Sequence, residues 1–434
     1  MNNRRVRQVA SGKEDVESVS RGGHSSGAGY ADCVDRVVKY RIEGFNGRPV
    51  DRRFGAVVTT KRRRSREMSD SQDDDPATVG ALPVFYGASA DEAWVSAASA
   101  VIARRGTTQD SRGGKTAEIL HATMRVSDPR QRWVRSRRPA MNPAFAIAET
   151  FWILGGRDDA PFLNFWNPAL PRYAGKGASY AGAYGKRLRD TFGFDQIERA
   201  LDALSAAPSS RQVILQTWDP RSDFPAADGG SASPDVPCNI CSMLKIRNGR
   251  LEWMQIMRSN DIFRGTPYNF VQFTMIQEYM SGCLELALGD FVLVTDSLHA
   301  YHNDLSNFSI ERVSGTISKC IISLPRKDAS IVLTQCLDML EHLADSSLTQ
   351  GKFLEILCRD DIPSGHADLV RIAAADSARR RGWPELANRA ANACSDSLLR
   401  EAWASWARDR EAWSRSSGRQ TEIREAPFSP ETFA

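Results

Sequence analysis

Glu149 lies in the run AFAIAETFWIL, where Thr150 is its one polar neighbour. On a helix this spacing sets it beside Phe145, Trp152 and Ile153. A carboxylate in apolar surroundings has a raised pKa and must find partners, which marks an acid–base candidate. The plainer reading is a carboxylate at the rim of an apolar face, reaching water. Cys238 closes a long polar loop just before a strand-like run, so its thiol is accessible, as a nucleophile requires. Cys238 and Cys241 also have CxxC spacing, but a zinc site needs a second ligand pair and none is obvious. Cys241, three residues into the strand pattern, is more simply core. Arg258-Ser259 join a guanidinium fork to a hydroxyl, a pairing suited to phosphate; a surface turn would use the same residues. Asn269 either caps a helix or presents its amide, donor and acceptor together, to a ligand. His299 and Tyr301 point the same way if residues 296–301 stay extended.

These residues need elements to hold them. Ala90–Ala103 reads as a helix, Gly106–Thr116 as a loop and Ala117–Val126 as a strand. Asn142–Gly156 carries full helix punctuation: Asn142 as cap, Pro143 at the first position and glycines at the end. Residues 158–183 read as a long loop, Asp195–Ala206 as a helix and Arg211–Trp218 as a buried strand. A polar loop over 221–237 leads to Cys241–Arg247 and Leu251–Met257, joined by Asn248-Gly249, a strong hairpin signal. A helix over Asn269–Ser281, capped by Asn269, and a strand over Gly289–Thr295 follow. Beyond about 328 the pattern turns helical: Ala329–Asp345, His366–Arg381 and Pro384–Ser414. Trp403, Trp406 and Trp413 on the last helix read as a packed face.

The whole chain bounds what these groups serve. Its 434 residues allow two domains, or one large domain with extensions. Lys and Arg number 57 against 53 Asp and Glu, a net +4 too small to favour nucleic-acid binding by overall field. No apolar run is long enough to span a membrane. The charged first residues lack the apolar core of a secretory signal. Eight scattered cysteines suit reduced thiols in cytoplasm. Residues 1–78 read as a disordered tail, with a short strand-like stretch at Val37–Ile42. The tail's basic block, Lys61 to Arg64 with Arg66, reads as a solvated stretch; an RNA-binding function would rest on that block alone.

Taken in order, Glu149 with Trp152, Tyr184-Gly185-Lys186, Arg211, Pro237-Cys238, Arg258-Ser259, Asp261, Gly265, Pro267-Tyr268-Asn269, Gly289-Asp290-Phe291 and His299-Ala300-Tyr301 resemble the thymidylate synthase and pyrimidine hydroxymethylase superfamily. The resemblance runs from about 85 to 325 and is most specific over 237–303. It implies an α+β fold, a mixed sheet packed with helices. The catalytic domain would span 79–328, a helical extension 329–414 and a second disordered tail 415–434. It implies Cys238 as the nucleophile at C6 of a pyrimidine, with Glu149 and Tyr184 managing protons. Asn269 would read the base edge. Arg258 and Ser259 would hold the 5′-phosphate, joined by Arg211 from a partner subunit of a homodimer and by Arg112. His299 and Tyr301 would hold the sugar hydroxyl. Asp261 and Trp152 would serve the folate co-substrate, 5,10-methylenetetrahydrofolate, with no metal.

The chain also departs from that pattern. Asn239 stands where synthases place a His, Gln212 where a second phosphate arginine is usual, and Ser297 where an acid precedes His-x-Tyr. No counterpart of the synthases' closing C-terminal tail is found. Such a tail excludes water from the site, so a hydroxymethyl product stands as the runner-up to methyl. Asn269 favours uracil over cytosine, and dUMP is the simplest substrate. A non-catalytic nucleotide-binding homologue is a reading of another class. Intact Cys238, Glu149, Tyr184 and Asn269 stand against it.

Overall fold

The computed structural model describes residues 82–104, 108–111, 113–313 and 315–416. These belong to one structural unit that begins at Asp75. The stretch Val37–Ile42, the basic block, the tail expected over 1–78, Arg112 and the end beyond 416 lie outside the described residues.

The chain opens with β1 (Val84–Gly87), α1 (Ala90–Ala103), β2 (Thr108–Ser111) and β3 (Gly114–Val126). Ser89 starts α1 by accepting from the Glu92 N–H, while the Glu92 carboxylate reaches back to the Ala88 N–H. The expected loop over 106–116 is largely taken up by a hairpin, because β2 folds back on the start of β3. A two-residue strand, β4 (Arg137–Arg138), precedes α2 (Pro143–Leu154). Asn142 caps α2 as expected, accepting from the N–H groups of Ala144 and Phe145.

The span expected as loop, 158–183, contains α3 (Ala160–Trp166) and α4 (Pro171–Ala174). Both open with a proline in the first turn, where its missing N–H costs nothing. Next come α5 (Tyr184–Lys186), a π-turn at Arg187–Thr191, α6 (Gln196–Ala206), β5 (Ile214–Gln216) and α7 (Pro220–Asp223). Of the buried strand expected over Arg211–Trp218, only β5 pairs, and it does so at the sheet edge. The N–H groups of Thr217 and Trp218 both turn to the Ile240 carbonyl, which ends the ladder.

The hairpin of β6 (Asn239–Arg247) and β7 (Arg250–Asp261) turns at Asn248 and Gly249, both with positive φ. Helix α8 (Thr266–Cys283) begins a turn earlier than expected, so Asn269 lies inside it and does not cap it. Pro267 fits that first turn because it has no N–H to leave unpaired. Strand β8 (Ala287–Tyr301) runs past the expected end, because β3 and β7 both pair with it through its last residues. His299 and Tyr301 therefore share a face. After α9 (Asp304–Asn307) and β9 (Ser309–Ile310), the chain is helical: α10 (Arg326–Ala344), α11 (Gln350–Leu357), α12 (Ser364–Arg380), α13 (Pro384–Ala393) and α14 (Ser397–Ser416). The long helix expected over Pro384–Ser414 breaks at 394–396, where Asp396 caps α14 through the Leu399 N–H.

The main sheet is mixed, in the order β1-β3-β8-β7-β6-β5 with β2 beside β3. Helices α1 and α8 cover one face, and α2 packs on α8. On the other face a single row of residues crosses the sheet in register: Ile214, Met243, Met254, Val292, Arg125 and Tyr86. Ile214, Met254 and Tyr86 of that row are exposed, as is Val84 beside it.

The C-terminal helices close the core from behind. Helices α10, α12 and α14 pack on α2, and Trp403 and Trp406 are buried there, as their spacing suggests. Buried carboxylates tie down the segment over 318–322 that leads into this layer. Glu278 of α8 pairs with Arg130 and Arg132 and accepts from the Ile322 N–H. Asp396 accepts from Ser318 Oγ and from the N–H groups of Lys319 and Cys320.

Candidate active site

Helix α2 is buried along its whole length except at Glu149. The helix is packed on all sides, so this one partly open position marks a cleft in the interior. Burial pushes the Glu149 carboxyl up to about 7, opposed by a hydrogen bond from Gln272. Gln272 Nε2 donates to Glu149 Oε2 at 2.5 Å. Gln272 sits on α8, three residues after Asn269, so one helix face carries both amides.

Tyr184 stacks on Phe273 of the same helix, ring centroids 6.0 Å apart. The turn carrying it approaches α2 closely through Gly185. A Cβ there would lie 2.6 Å from the Ile153 carbonyl oxygen, so no larger residue fits. Burial holds the Tyr184 phenol well above its usual range. Cys238, Glu149 and Asp235 add to that electrostatically, and the Asn239 backbone N–H bonds to the ring oxygen. Tyr184, Glu149 and Cys238, each singled out in the sequence, are thus brought together.

Cys238 stands at the mouth of β6, partly buried, and no disulfide joins the described cysteines. Arg258 folds back over it. Its Nε donates to the Pro237 carbonyl at 2.9 Å, and Nη2 to the Val236 carbonyl at 2.9 Å while lying 3.9 Å from Cys238 Sγ. The guanidinium thus sits directly beside the thiol. Asn239 is fully buried and turned into the sheet, where it donates to Thr217 Oγ1 and accepts from Gln255. A residue so engaged lends its backbone, rather than its side chain, to the site.

Asn269 is buried, and its Nδ2 donates to Asn260 Oδ1 at 3.0 Å. This contact fixes the amide's orientation. Asp261 ends β7 with Oδ1 accepting from the N–H groups of Phe263 and Arg264, both at 2.8 Å. Its Oδ2 is buried without a partner. Burial raises its carboxyl, and the neighbouring charges of His299 and Arg264 oppose that shift. A buried orphan acceptor suits the N–H groups of a pterin, so the residues present fit the co-substrate. His299 meets Tyr301 edge-on at 5.5 Å.

Other expected residues sit further out. Trp152 is buried with its N–H committed to Asp159. Ser259 is in register with Ser297 on β8. Arg112 lies outside the described residues; its neighbour Gly113 packs against the Tyr301 ring. Arg211 is exposed beside Arg247 and Asn248 at the hairpin tip, on the order of 25 Å along β6 from Cys238. It does not join its own chain's cluster.

Three residues not singled out in the sequence contact or bear on the site residues: Gln272, Asp235 and Glu118. Glu118 supplies a carboxylate where the resemblance had one missing. It faces His299 across the β3–β8 ladder and accepts from Ser297 Oγ at 2.5 Å. Glu118 breaks no pattern in its strand, and only the pairing of β3 with β8 shows what it meets.

Among the described residues, no cluster suits a metal ion and no helix is long and apolar enough to cross a membrane. The chain is 32% identical over 231 residues to a deoxyuridylate hydroxymethyltransferase of Bacillus phage SP01, covering 51% of this chain and 59% of that protein. The matched region thus spans under two thirds of the relative's length. It is 28% identical over 205 residues to a thymidylate synthase of Francisella philomiragia, covering 43% of this chain and 71% of the other. The solved thymidylate synthase of T4 phage aligns with a TM-score of 0.44 at 23% identity, over 57% of this chain and 91% of that one. The family model for thymidylate synthase matches residues 94–340, more than half of the sequence. The chain belongs to the thymidylate synthase family.

Proposed function

We propose that the protein transfers a one-carbon unit from 5,10-methylenetetrahydrofolate to C5 of dUMP through a covalent bond between Cys238 and C6. The observation that carries this reading is the meeting of a nucleophile, a buried phenol and a carboxyl near neutrality: Cys238, Tyr184 and Glu149.

The Cys238 thiolate adds to C6, and C5 becomes an enolate-like carbon able to form a bond. Arg258, beside the Cys238 sulfur, holds the 5′-phosphate together with Ser259. Asn269, held by Asn260, reads O4 and N3-H of uracil. His299 and Tyr301 take the sugar hydroxyl. Asp261 offers its orphan oxygen to the pterin. Bound methylenetetrahydrofolate supplies the carbon, and a hydride if the product is methyl. Glu149 gives and takes a proton near pH 7, as acid–base work requires. Tyr184, kept protonated by burial, passes on the C5 proton through its hydroxyl oxygen.

The carbon can end in two ways. Reduction gives dTMP and dihydrofolate. Addition of water gives 5-hydroxymethyl-dUMP and tetrahydrofolate. The resemblance alone leans to methyl. The higher identity to a deoxyuridylate hydroxymethyltransferase, 32% against 28% for the synthase, favours the hydroxymethyl product. The exposed Val84, Tyr86, Ile214 and Met254 on the open sheet face support a homodimer, since a second copy would cover them. Arg211 would then reach the partner's phosphate.

The test is direct. The protein is incubated with dUMP, UMP, dCMP or CMP tritiated at C5, plus methylenetetrahydrofolate. Tritium release and product mass are then measured. Release from dUMP alone, abolished by Cys238→Ala, is expected. Activity surviving that substitution would overturn the nucleophile.

A further inference from the structure

Asp235 lies three residues before Cys238 on the segment that delivers the nucleophile. Its Oδ2 accepts from the Gly182 N–H at 2.7 Å. Gly182 is two residues before Tyr184. The approach is close: a Cβ on Gly182 would sit 2.8 Å from Asp235 Oδ1 and 2.9 Å from the Asp235 carbonyl oxygen. The far end of the same turn is fixed separately. Arg187 is buried, donates to the carbonyls of Ala181 and Thr217, and pairs with Asp223 through both oxygens. The turn bearing Tyr184 is therefore pinned at both ends. The Asp235 pin ties its backbone to the Cys238 segment, beside the contact of the Asn239 N–H with the phenol oxygen. The Asp235 charge also bears on the phenol itself.

We infer that Asp235 is a positioning residue that sets where the Tyr184 hydroxyl stands relative to Cys238, and so governs removal of the C5 proton without taking part in addition at C6. This rests on the one-carbon-transfer reading above. The two steps it separates can be read separately. With 5-fluoro-dUMP and methylenetetrahydrofolate, the fluorine cannot leave as a proton does, so the Cys238 adduct accumulates and is seen by intact mass. With tritiated dUMP, release reports proton removal.

Three proteins are compared: wild type, Asp235→Ala and Asp235→Asn. Asp235→Ala is expected to trap 5-fluoro-dUMP to the wild-type extent, which also shows that it is folded. Its kcat for tritium release should fall by about tenfold to a hundredfold, the scale of an ångström of misplacement. KM for dUMP should stay within about threefold, since no ligand contact is lost. Asp235→Asn keeps an acceptor for the Gly182 N–H and should recover most of the lost kcat. Wild-type release from Asp235→Ala would overturn the inference. So would loss of trapping together with release in both variants, because the residue would then support the nucleophile or the fold at large. A wild-type protein that neither traps nor releases would instead sink the functional reading itself.

Discussion

At the scale of single residues, Glu149 has the most to reveal. Its carboxyl is raised from 4.5 to about 7 by burial. The folded protein therefore binds a proton that the unfolded chain releases at lower pH. Stability must fall as pH rises from about 4.5 through about 7. Glu149→Gln, neutral throughout, removes that slope. At pH 8 its gain over wild type should be at most about 2 kcal/mol, after discounting for the partly open carboxylate. Thermal melts at pH 5 and pH 8 check the sign: the difference in Tm should grow with pH. The same substitution should lower kcat and remove the inflection near neutrality from the pH profile. Glu149 and Cys238 were legible from sequence because each breaks a local pattern, a charge in an apolar helix and a thiol at a loop's end. Asp235 and Gln272 break none. Their meaning lies in partners far along the chain, Gly182 and Glu149.

At the scale of elements, helices announced themselves through caps, and the β6–β7 hairpin through Asn248-Gly249. The extent of pairing was less visible. Strand β8 exceeds its apolar run because neighbours on both sides supply hydrogen bonds, while β5 falls short of its run because its N–H groups turn to Ile240. The β3–β8 ladder makes its own prediction. Glu118 faces His299 and holds Ser297, so the carboxylate comes from β3 and not from β8. Ser297→Asp alone would set two carboxylates against each other and should raise KM for dUMP. Adding Glu118→Ser should restore it, with a coupling on the order of 1–2 kcal/mol. A double variant no better than the single would show that the two positions act independently.

At the scale of the molecule, Arg211 is out of reach of its own Cys238, so the proposed dimer can be read through activity. Cys238→Ala and Arg211→Glu proteins should each be weak alone. Mixed and allowed to exchange subunits, they should recover roughly a quarter of wild-type turnover, the share expected for random pairing with one sound site per mixed dimer. No recovery would place Arg211 elsewhere. The C-terminal helices are a second whole-molecule matter. They bury Leu369, Ile372, Leu399 and Trp406 against the core, each worth about 1.5–3 kcal/mol. A chain ending at 345 is therefore expected to lose its cooperative melt in calorimetry.

The stitching by Glu278, Asp396 and the helix layer has a temporal consequence. Each catalytic group proposed here lies before residue 302, so all of them leave the ribosome ahead of the helices that back α2. Until Trp403 and Trp406 emerge, α2 has no floor and Glu149 has no fixed cleft. The cell thus holds a nascent chain with a complete set of reactive groups and no working site. Helices α10 to α14 decide when the chemistry begins, although none of the reactive groups proposed here lies on them.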